Sequence, residues 1–171
     1  MTDEIVVSAC GPRWSERLED LRQRPAPHVA GLALSIEHVG GTGVPGCAAK
    51  PVVDLGIVLS GEASVPELVS GLAGQGCQHE GGLGIQGREA FPTPPGAFGH
   101  HLYGGGAGTK PRLGHVLLRD CLRLRPAEVR RCSAWKMALA QRFTAGSEGG
   151  AACSASKSAL VEELMARSCA V

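Results

Sequence analysis

No run of about 18 consecutive apolar residues occurs anywhere in this sequence, so no helix is expected to cross a membrane. No charged segment followed by a short apolar core opens it either, so a secretion signal is not expected. Net charge is almost absent: 17 lysines and arginines face 16 aspartates and glutamates, a formal charge of +1. General nucleic-acid and membrane-surface binders rely on a clustered positive field, and a balanced chain of this kind does not supply one. Any anion site must therefore be local. The seven cysteines stand singly at 10, 47, 77, 121, 132, 153 and 169, with no Cys-x-x-Cys pair. Scattered thiols fit neither a disulfide framework nor a zinc site, and they point to reduced cysteines in a cytoplasmic protein. Internal repeats are missing too.

What is present fits one soluble domain. A chain of 171 residues that is 43% hydrophobic can bury a single sizeable core. Ile5-Val6-Val7 reads as a short strand or extended lead-in. Pro12 opens an amphipathic helix from Trp14 to about Arg24, with Leu18 and Leu21 on one face, Trp14 as a core anchor, and Pro25 and Pro27 as its end. Leu32–Val39 alternates like a half-buried strand, and Pro51–Ser60 is a nearly continuous apolar strand. Val65–Leu72 follows as a helix after Ser64, closed by Gly74–Gly76. Gly81–Phe91 reads as a strand pair with a turn, Pro92–Gly99 as a loop and Ala97–Tyr103 as a further strand. Gly104–Pro111 reads as a flexible loop from its composition. Helices are expected over Arg112–Leu124, from Pro126 to about Phe143, and, beyond the glycine-rich link Ala145–Gly150, over Ser154–Ser168. Strands first and helices last predict an α+β domain spanning residues 1–171, with a mixed sheet and a C-terminal helical cover.

The chemistry concentrates in Ile36-Glu37-His38-Val39-Gly40-Gly41-Thr42-Gly43-Val44-Pro45-Gly46-Cys47-Ala48-Ala49-Lys50-Pro51-Val52-Val53-Asp54. Glycines at 40, 41 and 43 permit positive φ and can present amide N–H groups to a phosphate. Lys50 can add a point charge, and Asp54 on the following strand can hold a divalent cation. The plainer alternative is a glycine-rich hairpin with one capped aspartate. A second constellation is His100-His101-Leu102-Tyr103, where alternation sends His101 and Tyr103 to one face of a strand and His100 to the other. A histidine beside a tyrosine is a workable acid–base pair, while a buried, hydrogen-bonded core histidine is the alternative.

Gly40-Gly41, twelve residues, then Asp54-Leu55-Gly56 follows the glycine-turn and aspartate signature of the nucleotidyltransferase fold. The longer stretch resembles the GrpB family, whose usual wording is Ile-Glu-His-Val-Gly-Ser-Thr-Ser-Val-Pro-Gly-Leu-Ala-Ala-Lys-Pro-Val-Ile-Asp, and the resemblance runs over about residues 5 to 167. It implies a nucleotidyltransferase-like mixed sheet and a pocket of cations. Arg88 stands in a segment similar to the family's Gly-Ile-Pro-Gly-Arg, Arg119 in one similar to Phe-Arg-Asp-Tyr-Leu-Arg, and Lys136 and Lys157 match lysines of its C-terminal helices. Arginine suits bidentate contact with phosphate and lysine supplies point charge. With His38, Gly40, Gly41, Thr42, Gly43 and Lys50, these residues form the ligand-binding set that the resemblance implies. Asp54, His101 and Tyr103 are the catalytic candidates, with Asp54 also the ligand for a Mg²⁺ ion. Asp120 is available to fix Arg119.

The sequence departs from that pattern. Gly56 stands where a nucleotidyltransferase carries its second acid, and two metal ions need two or three carboxylates. Ser-Thr-Ser has become Gly41-Thr42-Gly43. Cysteine replaces the usual tyrosine at 10, 77, 121, 132 and 153, and Tyr103 stands where a histidine is usual. Loss of catalysis, repurposing, and drift between residues one base apart in the code would each account for such changes. Three functions follow as expectations for a protein that binds a nucleotide or phosphorylated metabolite: residual nucleotidyl or phosphoryl transfer through Asp54 and Mg²⁺, metal-free acid–base catalysis by His101 and Tyr103 in a biosynthetic pathway, or ligand binding without turnover. GrpB-like domains also occur fused to dephospho-CoA kinase, which brings coenzyme A precursors among the ligands to consider.

Overall fold

A computed structural model describes residues 6–8, 13–142, 162–164 and 166. Its elements are helices α1 (Arg13–Gln23) and α2 (Ala26–Val29), strands β1 (Ala33–Val39) and β2 (Val53–Leu59), helix α3 (Val65–Ala73), strands β3 (Glu89–Phe91) and β4 (His100–Gly106), and helices α4 (Lys110–Arg123) and α5 (Pro126–Arg142). The four strands make one mixed sheet in the order β1-β2-β4-β3. β2 runs antiparallel to β1 and parallel to β4, and β3 closes the far edge antiparallel to β4. This is the expected nucleotidyltransferase-like α+β architecture. Among the described residues no helix is long and apolar enough to cross a membrane.

Residue alternation sorts the two faces of the sheet. Val53, Leu55, Ile57 and Leu59 of β2 pack with Phe91 and Leu102 against Leu21, Val29, Leu68 and Leu72 from α1, α2 and α3. Trp14 joins this core from α1 and meets Phe98 with ring centroids 6.2 Å apart. The intervening residues of β2 are Asp54, Gly56 and Val58, and α4 contacts β1 and β4. A second cluster joins Val44 and Cys47, just after the glycine turn, to Leu122, Val129, Cys132 and Leu164. The helical cover of α4 and α5 is thereby anchored to the turn.

Two local expectations gain detail and two need correction. Pro25 and Pro27 do end α1, but Pro27 then sits in the first turn of α2, a position where its missing N–H costs nothing. Ser64 precedes α3 without a side-chain capping bond, following a short 3₁₀ turn over Glu62–Ser64. The strand pair expected over Gly81–Phe91 shrinks to β3, because positive φ at Gly81, Leu83, Gly84 and Gly87 coils residues 81–87 into successive turns. The loop expected over Gly104–Pro111 shrinks to a turn at residues 107–109 between the end of β4 and the start of α4. Glycine is required there by packing: a Cβ on Gly104 would lie 2.3 Å from Leu68 Cδ2, and one on Gly105 would lie 2.7 Å from the Gly87 carbonyl oxygen. The link at 145–150 and most of the helix expected over 154–168 lie outside the described residues. Residues 162–164 and 166 are helical, and Leu164 is buried.

Candidate functional site

The parallel pairing of β2 with β4 places Asp54 beside His101 and Gly56 beside Tyr103. Register partners project to the same face, so three catalytic candidates from two distant segments meet on the face opposite the main core. Asp54 Oδ1 lies 3.0 Å from His101 Nδ1, with the two side chains 27% and 43% exposed. A carboxylate accepts only from N–H, so this contact puts a proton on Nδ1 and, in the neutral ring, leaves Nε2 as the acceptor. Tyr103 follows, its ring centroid 6.0 Å from that of His101. Burial, with Asp54 adding and Arg88 opposing, pushes the phenol up to about 12, so at neutral pH it is a hydrogen-bond donor rather than a base.

Two further groups frame the phenol. The Arg88 guanidinium carbon lies 5.4 Å from the Tyr103 ring centroid, and Arg88 Nε donates to the Gly82 carbonyl at 3.2 Å, which holds it across the turns of residues 81–87. His115 of α4 meets the ring edge-on at 5.8 Å, and burial holds its imidazole below the ordinary range, hence neutral. Glu37, Val39, Gly56, Arg88, Tyr103 and His115 border a shallow cleft. Gly56 gives this cleft a floor without a side chain where a second carboxylate would otherwise project. His115 and Glu37 were not singled out in the sequence. A signal did exist, since His115, Arg119 and Arg123 recur every four residues along one face of a helix, and Glu37 alternates in phase with Val39.

The glycine turn lies beside Asp54 but is closed in on itself. It is a 3₁₀ turn over Gly41–Gly43, with the Gly43 and Val44 N–H groups donating back to Gly40 and Gly41 at 3.3 and 3.2 Å. Of its three glycines only Gly40 has positive φ (71°), and a Cβ there would lie 2.3 Å from Asp54 Oδ2. The other two are small for contact: a Cβ would lie 2.5 Å from Lys136 Nζ at Gly41 and 2.9 Å from the His38 carbonyl oxygen at Gly43. Thr42 is buried, its Oγ1 2.9 Å from His38 Nε2. His38 is in register with Leu55, so it leaves the sheet on the core face, away from His101. Burial first, then the Arg123 charge, lower its pKa to about 4 although Asp54 opposes them, so it pins the turn as a neutral imidazole.

The expected cations separate in space. Arg119 is buried: Nη1 donates to Glu37 Oε2 at 2.8 Å and to the His38 carbonyl at 3.0 Å, while Nε donates to Asp120 Oδ1 at 2.7 Å. It ties α4 to β1 instead of facing the cleft. Lys136 Nζ donates to Cys47 Sγ at 3.3 Å. The Cys132 thiol, and after it the Lys136 ammonium, hold Cys47 below the ordinary thiol range against its burial. Lys50 is exposed. Lys157, Cys10 and Cys153 lie outside the described residues. Among the expected cations that are described, Arg88 alone borders the cleft.

The described residues do not form an all-protein cage for a Mg²⁺ ion. Asp54 Oδ1 is in contact with His101, and Glu37, the acid on the same face in register with Gly56, is bonded to Arg119. Among the described residues no three histidine, cysteine or acidic side chains converge as a metal site. With Asp54 as the one carboxylate in reach, a Mg²⁺ ion there would complete its oxygen shell with waters and substrate phosphate oxygens.

Comparison with known proteins places these features in context. The chain is 31% identical over 145 residues to the UPF0157 protein PA4798 of Pseudomonas aeruginosa, covering 82% of this chain and 59% of that protein. It is 27% identical over 123 residues to the UPF0157 protein YqkA of Bacillus subtilis, covering 72% and 36% respectively. The UPF0157 protein SCO7215 of Streptomyces coelicolor is 32% identical over 120 residues, covering 70% and 62%. The matched part thus spans between about a third and three-fifths of these relatives. The crystal structure of conserved protein GrpB from Enterococcus faecalis superposes with a TM-score of 0.76 at 25% identity, covering 92% of this chain and 98% of that one. The GrpB protein family model matches residues 4–167, so the glycine turn, Asp54 and the paired histidines sit in a chain that belongs to the GrpB family.

Proposed function

We propose that this protein binds a nucleotide or phosphorylated metabolite in the cleft between its sheet and α4 and acts on it by metal-independent acid–base chemistry. The 3.0 Å contact between Asp54 Oδ1 and His101 Nδ1 carries the reading. It fixes the tautomer and orientation of a partly exposed imidazole, the arrangement a general base needs. In this scheme His101 Nε2 takes a proton from the substrate and returns it, Tyr103 donates a hydrogen bond from a phenol that stays protonated, and Arg88 at the rim takes the anionic group. Gly56 leaves room for a flat substrate on the cleft floor. Residual nucleotidyl transfer is favoured by the fold and by Asp54 beside the glycine turn, with Asp54 and substrate phosphates then sharing a cation.

Thermal-shift titration with nucleotides, coenzyme A precursors and sugar phosphates, each with Mg²⁺ and with EDTA, separates the two. A ligand at about 100 times its Kd adds about 2.7 kcal/mol of stability. Acid–base chemistry predicts a shift that survives EDTA and is lost in Arg88→Gln, with turnover abolished in His101→Gln but binding retained. A shift that needs Mg²⁺ and disappears in Asp54→Asn would establish the transfer reading instead. If no phosphate-bearing compound stabilises the protein, both are wrong.

A further inference from the structure

The paired histidines of β4 serve opposite faces of the sheet. His100 is only 5% exposed, and its Nδ1 lies 2.6 Å from the Phe98 carbonyl oxygen. A carbonyl accepts only from N–H, so Nδ1 carries the proton and Nε2 is a bare acceptor. Burial keeps the ring neutral by lowering its pKa, with the Arg24 charge acting in the same direction. Among the described residues no group bonds to Nε2, and the fully buried side-chain polar atom without a partner there is Glu128 Oε2. The ring lines a second cavity, together with the buried Leu21, Leu72 and Leu102 and the exposed Arg24 and Gln75.

Each part of this cavity selects for a chemical group. The leucine walls favour an apolar body. A lone pair that can only accept demands an O–H or N–H from the ligand, since an unpaired buried acceptor is costly. The exposed Arg24 that also lines it favours an anion. We propose that this cavity, on the sheet face opposite the Asp54–His101 pair, is a second binding site for a small hydroxylated carboxylic acid with an apolar body. The ligand's hydroxyl donates to His100 Nε2 and its carboxylate lies against Arg24. The site is independent of the acid–base reading, because it shares no side chain with the cleft.

The test uses the full chain with 3-(4-hydroxyphenyl)propionate as probe and 3-phenylpropionate as its control lacking the hydroxyl. Binding is followed by NMR of backbone amides and histidine ring nitrogens. Saturable shifts at Leu21, Leu72 and the His100 ring nitrogens are expected. Loss of the probe's hydroxyl leaves a buried acceptor unpaired and should weaken binding by about tenfold. Arg24→Gln, an exposed substitution that leaves the core intact, should weaken the probe severalfold, while His101→Gln should not change it. Shifts confined to Tyr103 and His115, equal binding of the two probes, or no saturable binding would overturn the assignment and leave the cavity a solvent pocket.

Discussion

Arg119→Met asks whether a residue that the family motif places among the phosphate binders is instead a structural tie. In the wild type one Nη1 bridges Glu37 at 2.8 Å and the His38 carbonyl at 3.0 Å, and the Nε edge meets Asp120 at 2.7 Å. The Arg119 side chain is 9% exposed, whereas Glu37 is 29% and Asp120 49% exposed. Methionine keeps the apolar stem and removes every donor. The Asp120 contact is half in solvent and worth about 0.2–1 kcal/mol. The Glu37 and His38 contacts matter more, because removing one partner of a buried pair costs about 3–5 kcal/mol. Partial exposure of Glu37 lets water recover some of this, so a total near 3 kcal/mol is expected. For a domain of this size that is about 6–12 °C in Tm. Urea titration followed by far-UV circular dichroism should show an earlier midpoint with an unchanged slope. Glu37→Gln alone should cost less, and the double variant should fall short of the sum because the two side chains are in contact. A variant with the wild-type midpoint that has lost all stabilisation by phosphate ligands would refute this reasoning and return Arg119 to the binding site.

Two other perturbations follow from the same geometry. His38 has a folded pKa of about 4 against an ordinary 6.5, so between those values the unfolded chain holds a proton that the folded one rejects, and stability must fall as pH drops through that window. The full difference is about 3.4 kcal/mol, and partial solvent access reduces it to about 1–2 kcal/mol; His38→Gln should flatten the acid limb of a stability–pH curve, and an unchanged limb would assign the loss to other groups. Gly40→Ala places a Cβ at φ 71° and ψ −170°, a region essentially reserved for glycine, and 2.3 Å from Asp54 Oδ2. It should cost about 1–3 kcal/mol and push Asp54 from His101, so that the hydrogen-bonded Nδ1 proton of His101 disappears from the NMR spectrum; its persistence would mean the turn relaxes without moving the carboxylate.

Most of the fold was legible because its signals are local. The alternation of Leu32–Val39, the apolar run ending at Ser60 and the period of the helix after Pro126 each repeat within one segment, and each forms close to its expected bounds. Gly104–Gly106 was not legible. Three glycines read as a loop from composition, and only the approach of Leu68 and Gly87 explains why a strand needs them. The turns of residues 81–87 failed as a strand for the opposite reason, since positive φ recurs there at four positions.

By itself the sequence determined the order and type of most elements, the family, and the facing of His101 and Tyr103 to one side with His100 to the other. All of these rest on periodicity or on contiguous motifs. Only the tertiary structure decided which of the candidate groups work together. Asp54 meets His101 across 47 residues because β2 and β4 pair in parallel in one register. Arg88, Arg119 and Lys136 are equivalent cations when read in line. In space Arg119 is held by Glu37 and Asp120, Lys136 by Cys47, and Arg88 reaches the cleft. A side chain's chemistry follows from its type, but its availability to a ligand depends on partners brought from elsewhere in the chain, and those contacts leave no periodic trace in the sequence.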